Sequence, residues 1–247
     1  MSSTKRVVVI TGGNGGIGAA IGKKFSENGD IVVLGDIKED VVKFAMDLAH
    51  KEDKEIFGSV IDVTDPSSVS GFFSRLSELT GKGSVDILVN NAGITRDAMF
   101  RKMTFEQWDT VLKVNLYGTY NCTKEAVEGM IQQNSGRIIN ITSISRYGNK
   151  GQANYAASKA GIVGLTLTLA RELAKHNITV NAISPGIIDT ELVKTIPESI
   201  MSSFLSRNPT GRLGKPEEIA ALVFFLSSSE ASYINGEVIN VNGGFFF

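Results

Sequence analysis

A chain of 247 residues with 42% hydrophobic residues is long enough to bury a substantial core, and no shift in composition marks a second domain. With 25 basic against 26 acidic residues the formal net charge is -1, which excludes the strong field of a nucleic-acid or anionic-membrane binder and leaves small-molecule chemistry as the expectation. The single cysteine, Cys122, excludes an internal disulfide and a cysteine-based metal cluster, and the apolar run at residues 7–10 is far too short for a signal or membrane segment, so a cytoplasmic protein is expected.

Short β-branched runs at residues 6–11, 31–36, 56–62, 85–90, 136–142, 179–184 and 237–241 alternate with helix-length amphipathic stretches. That rhythm predicts an α/β fold: a Rossmann-type doubly wound parallel sheet of about seven strands with helices on both faces, in one domain over residues 1–247. The joins are brief turns such as Gly81-Lys82-Gly83 and Asn134-Ser135-Gly136.

The first strand runs into Thr11-Gly12-Gly13-Asn14-Gly15-Gly16-Ile17-Gly18, followed by an apolar helical pattern from Ala19. Glycines there let the backbone turn and approach a pyrophosphate, whose charge meets the helix amino terminus, although such a run can also be a plain turn. The second strand ends at Asp36, about twenty residues on, where an acid accepts hydrogen bonds from ribose hydroxyls and repels a 2′-phosphate. This favours NAD(H) over NADP(H); the alternative is that Asp36 caps the next helix.

Further along, Asp65-Pro66 reads as a helix start, and Thr104 with Gln107 as a capping box. Ser143 stands just past the fifth strand, where its hydroxyl could hydrogen-bond a substrate oxygen. Twelve residues later Tyr155 and Lys159 lie four apart on one helical face. A nearby ammonium is expected to stabilise phenolate and lower the phenol, so the pair could move a proton to or from a carbonyl oxygen; alone, it could equally be a surface or interface pair. Residues 192–207, carrying Val193, Ile196, Ile200, Met201, Phe204 and Leu205, could cover a substrate as part of a lid near 187–210 or be ordinary amphipathic helix. The Phe245-Phe246-Phe247 tail could pack on its own chain or on another copy.

Taken together, Thr11-Gly12-x-x-x-Gly16-x-Gly18, Asn90-Asn91-Ala92-Gly93, Asn115, Ser143, Tyr155-x-x-x-Lys159 and Pro185-Gly186 with Thr190 resemble the short-chain dehydrogenase/reductase family over essentially the whole chain. The resemblance implies Tyr155 as catalytic acid-base, Ser143 as carbonyl-polarising donor, Lys159 as tuner and ribose contact, and Asn115 as anchor of a water relay to Lys159. It further implies that Gly12, Asn14, Gly16, Ile17, Gly18 and Asp36 bind the dinucleotide's phosphates and ribose. In the same way Asp62 and Val63 would hold adenine, Asn90, Ala92 and Gly93 would line the cleft, and Pro185, Gly186, Ile188 and Thr190 would meet the nicotinamide. No metal is implied. On the residues alone, Asn115 could merely satisfy backbone, and residues 90–93 could be only a tight strand exit.

Within the family the chain is most similar to 3-oxoacyl-(acyl-carrier-protein) and acetoacetyl-CoA reductases, through Asn91-Ala92-Gly93-Ile94-Thr95-Arg96-Asp97, Gly151-Gln152-Ala153-Asn154-Tyr155, Gly211-Arg212-Leu213-Gly214 and Val241-Asn242-Gly243-Gly244. An acyl-thioester substrate and a homotetramer are therefore expected. Two features set it apart: the Ser143-to-Tyr155 spacing is one residue shorter than usual, with Thr142 able to restore the count, and Gln132-Gln133-Asn134 is neutral where basic residues would steer an acidic carrier protein. An NAD-dependent polyol, sugar or hydroxyketone dehydrogenase is the alternative; a non-catalytic NAD(H)-sensing protein is the remote one, and no proton-transfer residue is missing to suggest it.

Overall fold

The computed structural model describes residues 5–52, 54–194 and 198–245. Seven parallel strands, β1 (Val7–Thr11), β2 (Ile31–Asp36), β3 (Ile56–Val60), β4 (Ile87–Asn90), β5 (Gly136–Ile141), β6 (Ile178–Pro185) and β7 (Val238–Val241), form one sheet in the order β3-β2-β1-β4-β5-β6-β7. Among the described residues ten α-helical segments connect or follow them: α1 (Gly16–Glu27), α2 (Val41–Glu52), α3 (Pro66–Ser74), α4 (Leu76–Thr80), α5 (Phe105–Leu112), α6 (Gly118–Gln132), α7 (Ala153–Leu173), α8 (Glu191–Lys194), α9 (Glu198–Arg207) and α10 (Pro216–Leu226).

The central strand β1 is Val-Val-Val-Ile-Thr and buried on both faces, as a parallel strand wrapped by crossover helices must be. Its alternate side chains divide between two cores. Val8 and Ile10 join Ile21 and Phe25 of α1 and Ile219 and Val223 of α10, whereas Val9 joins Phe72 of α3 and Cys122 and Met130 of α6. The strand order reverses at β1, and the crevice between β1 and β4 opens at the carboxyl ends of the strands.

Local signals act where the sequence places them. The Asp65 carboxylate accepts from Ser67 N, and Thr104 and Gln107 close a reciprocal capping box on α5. Asn134 and Gly81 take left-handed backbone at the two predicted turns. The third strand stops two residues earlier than the apolar run suggests: the last bond to β2 is Ile61 N to Asp36 O, and Asp62 N is taken by Ser68 Oγ instead.

Phe245 is buried, with its ring 6.0 Å from that of Phe204 and under the Arg207 guanidinium at 5.2 Å, so this part of the tail packs on its own chain; Phe246 and Phe247 lie outside the described residues, as does Ile196. Val193, Met201, Phe204 and Leu205 are half-buried. Among the described residues no helix is long and apolar enough to cross a membrane.

Candidate active site

The crevice is built first by backbone. Gly12 takes φ +65°, and a side chain there would meet Asn91 Nδ2 and Ala92 Cα at 3.0 Å; one at Gly18 would lie 2.3 Å from Gly12 O. The turn from β1 into α1 is thus folded on itself and held against the β4 exit. Thr11 Oγ1 accepts from Asn91 N and Ala92 N, and Asn91 Nδ2 donates to Thr11 O and Gly12 O. Neither Thr11 nor Asn91 was among the expected site residues, although both sit inside the quoted motifs; their work is to lock the two strand exits together.

At the far end of the turn, the Asp36 carboxylate accepts from Asn14 N at 3.2 Å and from Lys38 N at 3.2 Å. The acid therefore faces the glycine turn and starts no helix, since α2 begins only at Val41. Asn14 Nδ2 also donates to Asp40 at 2.5 Å, which adds a second carboxylate to this rim. Ile17 is half-buried against the core.

Other expected contacts are divided between cleft and scaffold. Asp62 accepts from Thr64 N and Thr64 Oγ1, while the carbonyl of buried Val63 accepts from Asn121. The Asn90 side chain turns below the cleft, donating to Thr123 and Asn140 in a buried polar chain that continues to Thr166. Ile188 is buried and bridged to Gly214, so only its backbone is left to face the cleft, and Gly186 N bonds Val241 O at the β7 exit. Thr190 lies against the glycine turn: a side chain on Gly16 would meet its Cγ2 at 2.7 Å. Residues from both ends of the sequence thus close on one crevice.

The candidate proton-transfer group stands beside it. Thr142 is buried with its hydroxyl on Lys159 O, whereas half-buried Ser143 is the one of the two that acts on the Tyr155 phenol, pulling it down against burial. Ser143 Oγ accepts from Ser145 N at 3.1 Å, which leaves its O–H free to donate elsewhere. Lys159 Nζ lies 5.6 Å from the Tyr155 ring centre and donates to Ile141 O at 2.8 Å. A side chain at Gly93 would sit 3.4 Å from both Lys159 Nζ and Asn115 Oδ1, so these groups flank one point of the cleft floor.

Electrostatics here differ from the expectation of a lowered phenol. Burial pushes Tyr155 up to about 12, with the Ser143 hydrogen bond pulling the other way and the Asp97 carboxylate adding to the rise. Burial also pushes Lys159 down to about 8. Desolvation is the largest cause, and in the protein alone Tyr155 is a protonated donor.

Asn115 lies in a π-helical turn, Lys113–Tyr117, which joins α5 to α6. Its side chain exchanges both bonds with the backbone of Ile94 and donates to Ser158, while its carbonyl accepts from Thr119. Asn154, fully buried, donates to Arg96 O and Gln107 O. Asn154 and Ser158 are positioning residues that the sequence reading passed over; their spacing of four, beside Tyr155 and Lys159, was the available signal.

The family model described as Enoyl-(Acyl carrier protein) reductase matches residues 12–246. The 3-oxoacyl-[acyl-carrier-protein] reductase FabG of Thermotoga maritima is 45% identical over 244 residues, 97% of each chain, and the acetoacetyl-CoA reductase of Shinella zoogloeoides is 44% identical over 98% of this chain and 99% of that one. The chain belongs to the short-chain dehydrogenase/reductase family. As a short-chain dehydrogenase/reductase it is an oxidoreductase that interconverts a carbonyl and an alcohol with a nicotinamide cofactor. The crystal structure of gox2181 superposes with a TM-score of 0.94 at 34% identity, covering 98% of this chain and 96% of that one.

Proposed function

We propose that the protein reduces 3-oxoacyl thioesters with NADH. The observation that carries the reading is the cluster of Ser143, Tyr155 and Lys159 beside a glycine turn whose rim is closed by Asp36. The names of the Thermotoga and Shinella relatives support the thioester.

The residues fit a dinucleotide: the folded glycine turn leaves backbone where phosphates would lie, and Asp36 is aimed at the same turn. When bound, the nicotinamide supplies the hydride. Ser143 donates to the substrate oxygen, and Tyr155 gives that oxygen its proton. Lys159 stabilises the resulting phenolate and holds a ribose, with Asn115 supporting a water path to it. Asp62, Val63, Ala92 and Gly93 border the adenosine side, and Pro185, Gly186, Ile188 and Thr190 the nicotinamide side.

NAD(H) rather than NADP(H) follows from charge, since Asp36 and Asp40 would both repel a 2′-phosphate. A coenzyme A thioester fits better than an acidic carrier: in the 132–134 turn Gln133 is tied to the carbonyls of Val85 and Ser135, and the exposed Arg96, Arg101 and Arg171 are scattered over three elements. Residues 187–210 act as the substrate lid, with Val193, Met201, Phe204 and Leu205 turned partly inward. The exposed Phe105, Tyr117 and Tyr120 of the α5–α6 face support a homotetramer, and a cytoplasmic location is in keeping with this chemistry.

Steady-state assays with acetoacetyl-CoA against a polyol panel, each with both cofactors, test the reading. The expected result is thioester reduction with NADH at least about tenfold more efficient than with NADPH. Polyol oxidation without thioester reduction would replace it.

A further inference from the structure

Two buried polar atoms without partners lie at one place on the strand edge. Arg146 follows Ser143 on the 3-10 turn Ile144–Tyr147, and its Nη1 is buried with no acceptor. Ser184, fully buried near the end of β6, has a hydroxyl equally without a partner.

The sheet order brings them together. Arg146 leaves from the β5 exit, and its Nη2 donates to Asn240 Oδ1 on β7 at 3.1 Å. β6 lies between those strands, and its residue in register with Asn240 is Ser184, so the arginine side chain spans the end of the strand that carries Ser184. Residues in register on parallel neighbours point to the same face. Ile183 and Ile239 turn to the opposite core, which puts Ser184 and Asn240 on the face that carries α7 and Tyr155.

Among the described residues no carboxylate pairs with this guanidinium; its acceptors are the Asn240 amide oxygen and the Tyr147 hydroxyl at 2.7 Å. The Tyr147 ring covers it at 4.3 Å and is itself 64% exposed, so it can swing out without disturbing packing. A planar guanidinium with an unused N–H, next to a free hydroxyl and an amide, matches a carboxylate, which takes two parallel hydrogen bonds.

We propose that Arg146, Ser184 and Asn240 form a subsite for a carboxylate on the acyl part of the substrate, so that the favoured thioester is a 3-oxo acid with an acidic end. The inference rests on the thioester-reductase reading. The reacting carbonyl sits at Ser143, one 3-10 turn from Arg146, and the bound carboxylate would set the acyl chain's direction across that turn.

The test compares kcat/KM for 3-oxoadipyl-CoA and acetoacetyl-CoA with NADH; both carry the same coenzyme phosphates, so their ratio reports the acyl end alone. Wild type is expected to favour the acidic substrate, and Arg146→Gln to lower the ratio by about tenfold to a hundredfold, the range for a hydrogen bond to a charged group. Asn240→Asp at an exposed strand position gives the guanidinium a carboxylate of the protein's own and should lower the ratio likewise, even if Arg146→Gln fails to fold. Reduction of acetoacetyl-CoA with a ratio unmoved in Asn240→Asp overturns the subsite alone. Saturable sulfate binding with an unmoved ratio marks a free-anion site and also overturns it, while wild type inactive on both thioesters removes the underlying reading as well.

Discussion

A phenol is an ordinary proton donor only if its environment keeps the proton on until the moment of transfer. At Tyr155 burial does this, lifting the group to about 12, while Ser143 pulls the other way and, on the proposed reading, would steady the departing charge. Removing the hydroxyl with Tyr155→Phe should therefore cut turnover by about a hundredfold to ten-thousandfold, the span of general acid catalysis, with NADH affinity by fluorescence titration within about twofold of wild type. Retained turnover would remove Tyr155 from its role. The same geometry fixes the sign of the pH response. Reduction needs a neutral phenol and a charged Lys159; the phenol stays protonated below about 12, but the ammonium discharges as pH rises through about 8. Reduction should hold level toward acid and decline above about 8, whereas oxidation of the alcohol, which needs phenolate, should reach its plateau only toward the phenol's own range near 12. Lys159→Arg keeps a charge that does not titrate there, and is expected to lose the break near 8 at a lower overall rate. A break that persists in that variant would assign it to another group.

Elements are legible when their cause is local. Strands β1, β2, β4 and β5 announce themselves because parallel strands buried on both faces must be runs of Val and Ile, and the starts of α3 and α5 because Asp65 and Thr104 are capping residues at the right offset. The candidate trio Ser143, Tyr155 and Lys159 could be picked out for a similar reason, a strand exit and a four-residue helical spacing. What stayed hidden depends on contacts far apart in the chain. No local pattern says that Asn115 sits in a π turn, since the turn is fixed by its paired bonds to Ile94 and its reach to Ser158. Nor could spacing show that Asn90 points away from the cleft toward Asn140, or that burial would raise the phenol. At this scale the α5 cap offers a clean measurement. Thr104 is exposed and its side chain serves Gln107 N, so Thr104→Ala should cost about 1 kcal/mol, lowering Tm by roughly 2–4 °C with kcat/KM unchanged. A larger loss of activity than of stability would mean that α5 also sets the Ile94–Asn115 contact.

For the molecule as a whole, the crevice is where β1, β2, β4 and β6 all end, and the segments after them touch: Asn91 on the glycine turn, Asp36 on Asn14, Thr190 on Gly16. A dinucleotide lying there would contact the exits of four strands at once, so its binding energy acts on global unfolding and not on one loop. A ligand at about a hundred times its Kd stabilises the folded state by about 2.7 kcal/mol, which for a chain of this size is a Tm rise of roughly 5–11 °C. NADH should give a shift of that order. NADPH at the same concentration should give a much smaller one, because its 2′-phosphate would face the Asp36 and Asp40 carboxylates. Asp36→Ala removes the carboxylate nearer the glycine turn without emptying any core, since Asp36 is only half-buried, and should bring the two shifts toward equality by raising the NADPH response and lowering that of NADH. Equal shifts already in the wild-type protein would show that Asp36 holds the turn through Asn14 N and does not discriminate between cofactors, and the case for NAD(H) would fall with it.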